Sequence, residues 1–148
     1  MVPPGLPSHY AYTFNIPALQ RTPNGSLLAF AQAVLQAAPG SARASTTTVR
    51  SPTIAVADGD DGWIDMVARR STDGGRTWGP LQVVCRNSSL TTTGGRDRAL
   101  EHACQQPTPL ADSISGTVFL LSSLDNWHQR LIKSTDDGLT WTPWAEAV

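Results

Sequence analysis

The 148 residues predict an all-β chain built as two four-stranded antiparallel sheets, and three observations predict it. The first is a phrase spelled twice. Ser71-Thr72-Asp73-Gly74-Gly75-Arg76-Thr77-Trp78 returns as Ser134-Thr135-Asp136-Asp137-Gly138-Leu139-Thr140-Trp141, both fitting S-x-D-x-G-x-T-W. The second is the run before each copy, Ile64–Arg70 and Gln129–Lys133, which alternates apolar and polar as a half-buried strand does. The third is a strand–turn–strand pattern upstream of both runs.

The elements follow in order. Ile16-Pro17-Ala18-Leu19, the turn Asn24-Gly25 and Ser26–Phe30 predict the first two strands. Thr108–Ala111, the turn Ser115-Gly116 and Thr117–Leu121 predict their counterparts in the second unit. Ile64–Arg70 and Leu81–Val84 complete the first unit, Gln129–Lys133 and Trp144–Val148 the second. Four short strands per unit is the pattern of a propeller blade. The chain therefore divides as one domain over 1–148, with a first blade at about 13–85 and a second at about 104–148.

The spelling of the repeated phrase has a physical reason. An Asp in a tight reversal accepts hydrogen bonds from amides two or three residues on, which casts Asp73 and Asp136 as the turn builders. Gly75 and Gly138, two positions later, supply a positive φ. Ser71, Thr77, Ser134 and Thr140 complete the two turns. Trp78 and Trp141 drop onto the adjacent apolar layer, each indole N–H near a partner. These residues are scaffold.

The two units are unevenly spaced. Gly25 and Gly116 lie 91 positions apart, but Asp73 and Asp136 only 63, so the first unit carries a 28-residue insertion, at roughly 31–63. Long loops usually carry function. This one joins the second and third strands, so it shares a rim with the residues before Ile16, opposite the repeated corners.

Bulk properties exclude several classes. A formal charge of −1, with Arg43 and Arg50 isolated, gives nucleic acid no basic patch. No apolar run reaches the ~18–20 residues of a membrane span. Met1-Val2-Pro3-Pro4 lacks the basic and apolar regions of a signal peptide, and no compartment is implied. Cys85 and Cys104 bracket the inter-unit connection, either as a disulfide or as two buried thiols. Asn24-Gly25-Ser26 and Asn87-Ser88-Ser89 fit the glycosylation sequon, but turn asparagines are the reading preferred, Asn-Gly being a hairpin dipeptide. Asp58, Asp60, Asp61 and Asp65 lack the terminal Glu of a calcium loop. His9, His102 and His128 are scattered, so no metal or other cofactor is expected.

The ordered set F-x-I-P-A-L from Phe14, T-P-x-G-x-L-L-A-F-A from Thr22 and D-x-V-x-R-R-S-T-D-G-G-R-T-W-G-P from Asp65 resembles the sialidases (neuraminidases, exo-α-sialidases). The likeness runs from about Phe14 to Trp144 and matches the N-terminal third of a six-bladed Asp-box propeller. It implies an incomplete sialidase-like β-propeller and, at family level, hydrolysis of terminal sialic acid from a sialylated glycoconjugate. In that family three arginines hold the sugar carboxylate. Asn15 stands where the first would be, and no Arg follows the Phe30–Val34 strand until Arg43. An amide brings neither the charge nor the bidentate fork.

By the same resemblance Asp58, eleven residues before Arg69, takes the place of the acid/base aspartate. The family's tyrosine nucleophile and its glutamate come from later blades. Tyr10, Tyr12 and Glu101 do not match them. The resemblance therefore implies a sialidase-type segment that is inert alone. The other reading of the same residues is a non-catalytic Asp-box module that binds glycan or protein. Two blades leave apolar faces uncovered, a route to self-association.

Overall fold

The computed structural model describes residues 11–36, 64–86, 103–124, 126, 128–143 and 145–146. They form two four-stranded antiparallel sheets, each ordered as its strands occur in sequence. The first holds β1 (Ala11–Arg21), β2 (Leu27–Gln36), β3 (Ile64–Ser71) and β4 (Gln82–Cys85). The second holds β5 (Cys104–Ala111), β6 (Val118–Leu124), β7 (His128–Ser134) and the two-residue β8 (Ala145–Glu146). No helix occurs among the described residues, and none there is long and apolar enough to cross a membrane.

The strand alternation read from the sequence places the core. Along β2, Leu28 and Phe30 are buried, and along β3 so are Met66 and Ala68. These meet Cys104, Val118, Leu120 and Ile132 of the second sheet in one apolar cluster. Full burial of each large side chain contributes about 1.5–3 kcal/mol, so this joint layer is what holds the sheets face to face. Cys85 and Cys104 form a disulfide inside it, with Cα atoms 6.1 Å apart and 19 positions between them in sequence. Closing a loop of that size stabilises a fold by about 3 kcal/mol. The choice the sequence left open is thus settled for the disulfide.

Two boundaries differ from the sequence expectation. β2 continues to Gln36, so residues 31–36, assigned above to the inserted loop, are strand. Their pairing with β3 from Ala31↔Val67 to Val34↔Ile64 explains why: both strands bury apolar side chains there. The second difference concerns the proline match. The sequence sets the Ile16–Leu19 strand against Thr108–Ala111, whereas the strand registers match Pro17 with Pro107. β1 breaks register between Asn15 and Ala18, and β5 breaks it between Gln105 and Thr108. Each break holds a non-glycine residue at positive φ, Ile16 at 49° and Gln106 at 55°, immediately before the proline. A proline cannot donate to the ladder, and a bulge removes the need. The first and fifth strands therefore repeat a bulge as well as a fold.

Each sheet keeps a second face turned away from its neighbour. On the first sheet, Phe14, Pro17, Ala29, Ala31, Val67, Arg69 and Leu81 line a groove of about 400 Å³. On the second, Phe119, Leu121 and Leu131 are half-buried and Lys133 is exposed.

Candidate functional site

The two corners follow one hydrogen-bond plan. Ser71 Oγ donates to Asp73 Oδ1 at 2.8 Å and accepts from the Gly75 amide at 2.9 Å. Ser134 does the same for Asp136 at 2.7 Å and Gly138 at 2.9 Å. The carboxylates then reach forward. Thr77 N–H donates to Asp73 Oδ1 at 2.9 Å and Thr77 Oγ1 to Oδ2 at 2.6 Å. Thr140 N–H donates to Asp136 Oδ1 at 2.8 Å, and Thr140 Oγ1 to its Oδ2. The sequence places the Asp partner two or three residues on. The main partner is four residues on, because the turn holds left-handed glycines, Gly74 and Gly75 at 73° and 91°. In the second corner Asp137 at 64° and Gly138 at 83° take those places. Leu139, three residues on, adds a bond to Asp136 at 3.1 Å.

These contacts fix the chemistry of the pair. Hydrogen bonds from the Thr77 hydroxyl, then from its amide and from Ser71, lower Asp73 from the ordinary 3.8 to about 2. The Thr140 hydroxyl and amide do the same for Asp136, also to about 2. A carboxylate so stabilised stays ionised at neutral pH and cannot deliver a proton. Both aspartates hold turns.

The tryptophans diverge. Trp141 packs on the joint core and meets Phe30 edge to face, ring centroids 5.7 Å apart at 77°. Its Nε1 is buried without a hydrogen-bond partner among the described residues, contrary to the expectation of a nearby acceptor. Trp78 is half-buried beside Gly75.

The second corner also reaches across the sheet interface. Ser26 Oγ donates to Asp137 Oδ2 at 2.5 Å, Arg70 Nε donates to the Asp137 carbonyl at 2.8 Å, and Arg70 pairs with the carboxylate. Burial pushes the Asp137 carboxyl up, but bonds from Ser26, Thr22 and Arg70, with the Arg70 charge, outweigh it and hold the group below its ordinary value. Sequence reasoning missed this clasp. Its signal was one of the three free positions of the phrase, an acid at 137 where the first copy has Gly74.

Asn15 is exposed on β1, opposite Gln32 and directly before the bulge. Asp58, Asp60 and Asp61 lie outside the described residues, as do Tyr10, Glu101, His9 and His102. Asp65 is buried in β3, paired in register with Ala33. Among the described residues no group of three or more His, Cys, Asp or Glu could hold a metal ion.

No family model matches the chain. It is 31% identical over 147 residues to a sialidase from Micromonospora viridifaciens, an alignment taking in 87% of this chain and 18% of that one. Its fold is similar to that of Hadza microbial sialidase Hz136, with a TM-score of 0.62 and 20% identity, covering 90% of this chain and 25% of the other. This chain is sialidase-like. It spans less than a fifth of the curated relative's length. The structural likeness carries the two-sheet fold of the sialidase-like chain, and the sequence likeness carries its kind.

Proposed function

We propose that the chain supplies two neighbouring propeller blades to a sialidase-type glycoside hydrolase, whose reaction removes terminal sialic acids from glycoproteins, glycolipids and oligosaccharides. The 31% identity to a sialidase over most of the chain carries this reading. The doubled Asp corner on adjacent antiparallel sheets supports it. Asp58 is the proposed acid/base, protonating the departing glycosidic oxygen from the segment between β2 and β3. Asn15 occupies the proposed sugar-carboxylate subsite and provides an amide donor there instead of a guanidinium.

On this reading the 148 residues alone are inert, because the tyrosine nucleophile and most of the arginine set are not among them. A fluorogenic sialoside assay on the purified chain tests this. Release at the rate of buffer is expected, and turnover well above it refutes the inert assignment.

Asn15 favours one second reading, a non-catalytic module for glycan or protein binding. Asn15→Arg separates the two. The sialidase reading expects the variant to gain measurable affinity for free sialic acid by calorimetry where the parent has none. An interaction module expects no gain.

A further inference from the structure

The β1–β2 hairpin turn carries Asn24-Gly25-Ser26, and its hydrogen bonds do not use the asparagine. Thr22 builds the turn. Its amide donates to the Ser26 carbonyl at 2.8 Å, its carbonyl accepts from Gly25 N–H at 2.9 Å, and its Oγ1 accepts from Ser26 N–H at 3.1 Å. Gly25, at φ 88°, takes the left-handed step, and Asn24 is not among the left-handed residues. The Asn24 side chain is exposed and makes no hydrogen bond among the described residues. The corresponding hairpin of the second sheet is the contrast. There the side chain of Asp112 builds the turn, accepting from Ile114 N–H at 2.9 Å and from the Ser115 hydroxyl at 2.6 Å. Asn24 supplies neither a turn bond nor a positive φ, and turn positions that need neither accept most residues. What remains is the sequon N-x-S, whose acceptor is an asparagine at the surface.

We propose that Asn24 is an N-glycosylation site, modified in the oxidising lumen of a secretory pathway before the second sheet docks. In that step Asn24 Nδ2 attacks the anomeric carbon of an oligosaccharide linked to a lipid diphosphate. The N–C bond forms and the bond from that carbon to the diphosphate oxygen breaks. The lipid diphosphate leaves with the electron pair, and the amide proton passes to a base of the transferase. The disulfide points independently to the same compartment. Cys85 and Cys104 are 3% and 0% exposed and join the end of β4 to the start of β5. Such buried bonds form and persist where thiols are kept oxidised. Ser26 sets the order of events. The sequon needs its hydroxyl, yet in the folded chain Ser26 is 4% exposed and its Oγ donates to Asp137 Oδ2 at 2.5 Å. The transferase can therefore use that hydroxyl only before the second corner closes on it. Afterwards the glycan has room, for a Cβ on the neighbouring Gly25 would meet nothing within 4 Å. The turn lies at the end of the first sheet where Leu27 pairs with Ser71 and the Asp corner begins. The segment between β2 and β3 leaves from the opposite end, so a glycan on Asn24 and the proposed sugar site do not compete.

Peptide mapping of the protein from its own cells tests this. The peptide holding Asn24 is expected to carry a glycan that a peptide N-glycosidase releases, leaving aspartate at position 24. Bare Asn24 in that protein, or a glycan on Asn87 alone, overturns the proposal. Translation of the 148 residues behind a secretory leader, with microsomes present, reads transfer whether or not a variant folds. Ser26→Thr should keep the glycan on the Asn24 peptide, whereas Asn24→Gln and Ser26→Ala should lose it. In chains made without the glycan, Asn24→Gln should leave the thermal midpoint unchanged and Ser26→Ala should lower it, because Ser26 holds Asp137 and Asn24 does not. Equal losses would overturn the idle role in the fold on which the proposal stands. Microsomes added after the chain has folded and formed its disulfide should give no transfer, and equal occupancy before and after folding overturns the stated order. None of these readouts involves sialoside turnover, so their failure is distinct from failure of the proposed function.

Discussion

At the first corner the Cβ that Gly74 lacks would meet open space, whereas at the second Asp137 takes the same left-handed backbone and reaches across to Ser26 and Arg70. Everything local is shared: the Ser hydroxyl bridge, the Thr bonds to the carboxylate and the two positive-φ residues. What differs is what stands opposite. The second corner is packed against a neighbouring sheet and, among the described residues, the first is not. A turn motif thus folds by its own hydrogen bonds, while one unconstrained position within it decides whether it also fastens two sheets.

The glycines sharpen this comparison most. A Cβ at Gly138 would sit 2.5 Å from Leu28 Cδ2, while one at Gly75 would sit 3.5 Å from Leu27 Cδ1. Both positions carry the cost of a left-handed alanine, but only Gly138 adds overpacking against a buried leucine. Gly138→Ala is expected to cost about 3 kcal/mol and Gly75→Ala about 1 kcal/mol in urea unfolding. Equal losses would mean that the interface yields freely at Leu28.

The clasp comes next. Arg70→Ala leaves the Asp137 carboxylate, largely shielded from water, with Ser26 and Thr22 but no counter-charge, and is expected to cost about 2 kcal/mol. Lys133→Ala, at the matching place on the open face, is expected to stay within about 0.5 kcal/mol of the parent. Thermal unfolding of the two variants beside the parent reads both.

The smallest effect is that of pH, and there the corners behave alike. Asp73 and Asp136 have folded values of about 2 against an ordinary 3.8. A depressed folded value means that the stabilisation is complete above about pH 4 and is lost as pH falls toward 2. Thr140→Val removes the largest lowering contact of Asp136, raises its folded value and so moves that loss to higher pH. Thr77→Val does the same at Asp73. Acid titration followed by tryptophan fluorescence checks the direction, and a shift to lower pH in either variant contradicts the assignment.

Much of the fold was legible because period-two patterning and turn chemistry are local. The strands around Asn24-Gly25, Ser115-Gly116 and both Asp corners fell where alternation put them. The bulges at Ile16-Pro17 and Gln106-Pro107 were not legible, since only strand register reveals that the two prolines are equivalent. The β2 extension through Gln36 was hidden by an Ala-rich stretch that reads as loop until Ile64–Val67 pair with it.

The sequence by itself determined the two corners, because every group that builds them lies within eight consecutive residues and carries its own donors and acceptors. It also determined the sialidase likeness, which rests on spelled motifs. Only the tertiary structure decided the Cys85–Cys104 disulfide, the seating of Trp141 on Phe30 and the hold of Ser26 and Arg70 on Asp137. Ser26 and Asp137 are 111 positions apart, and no short-range pattern in a chain encodes which of its faces will meet.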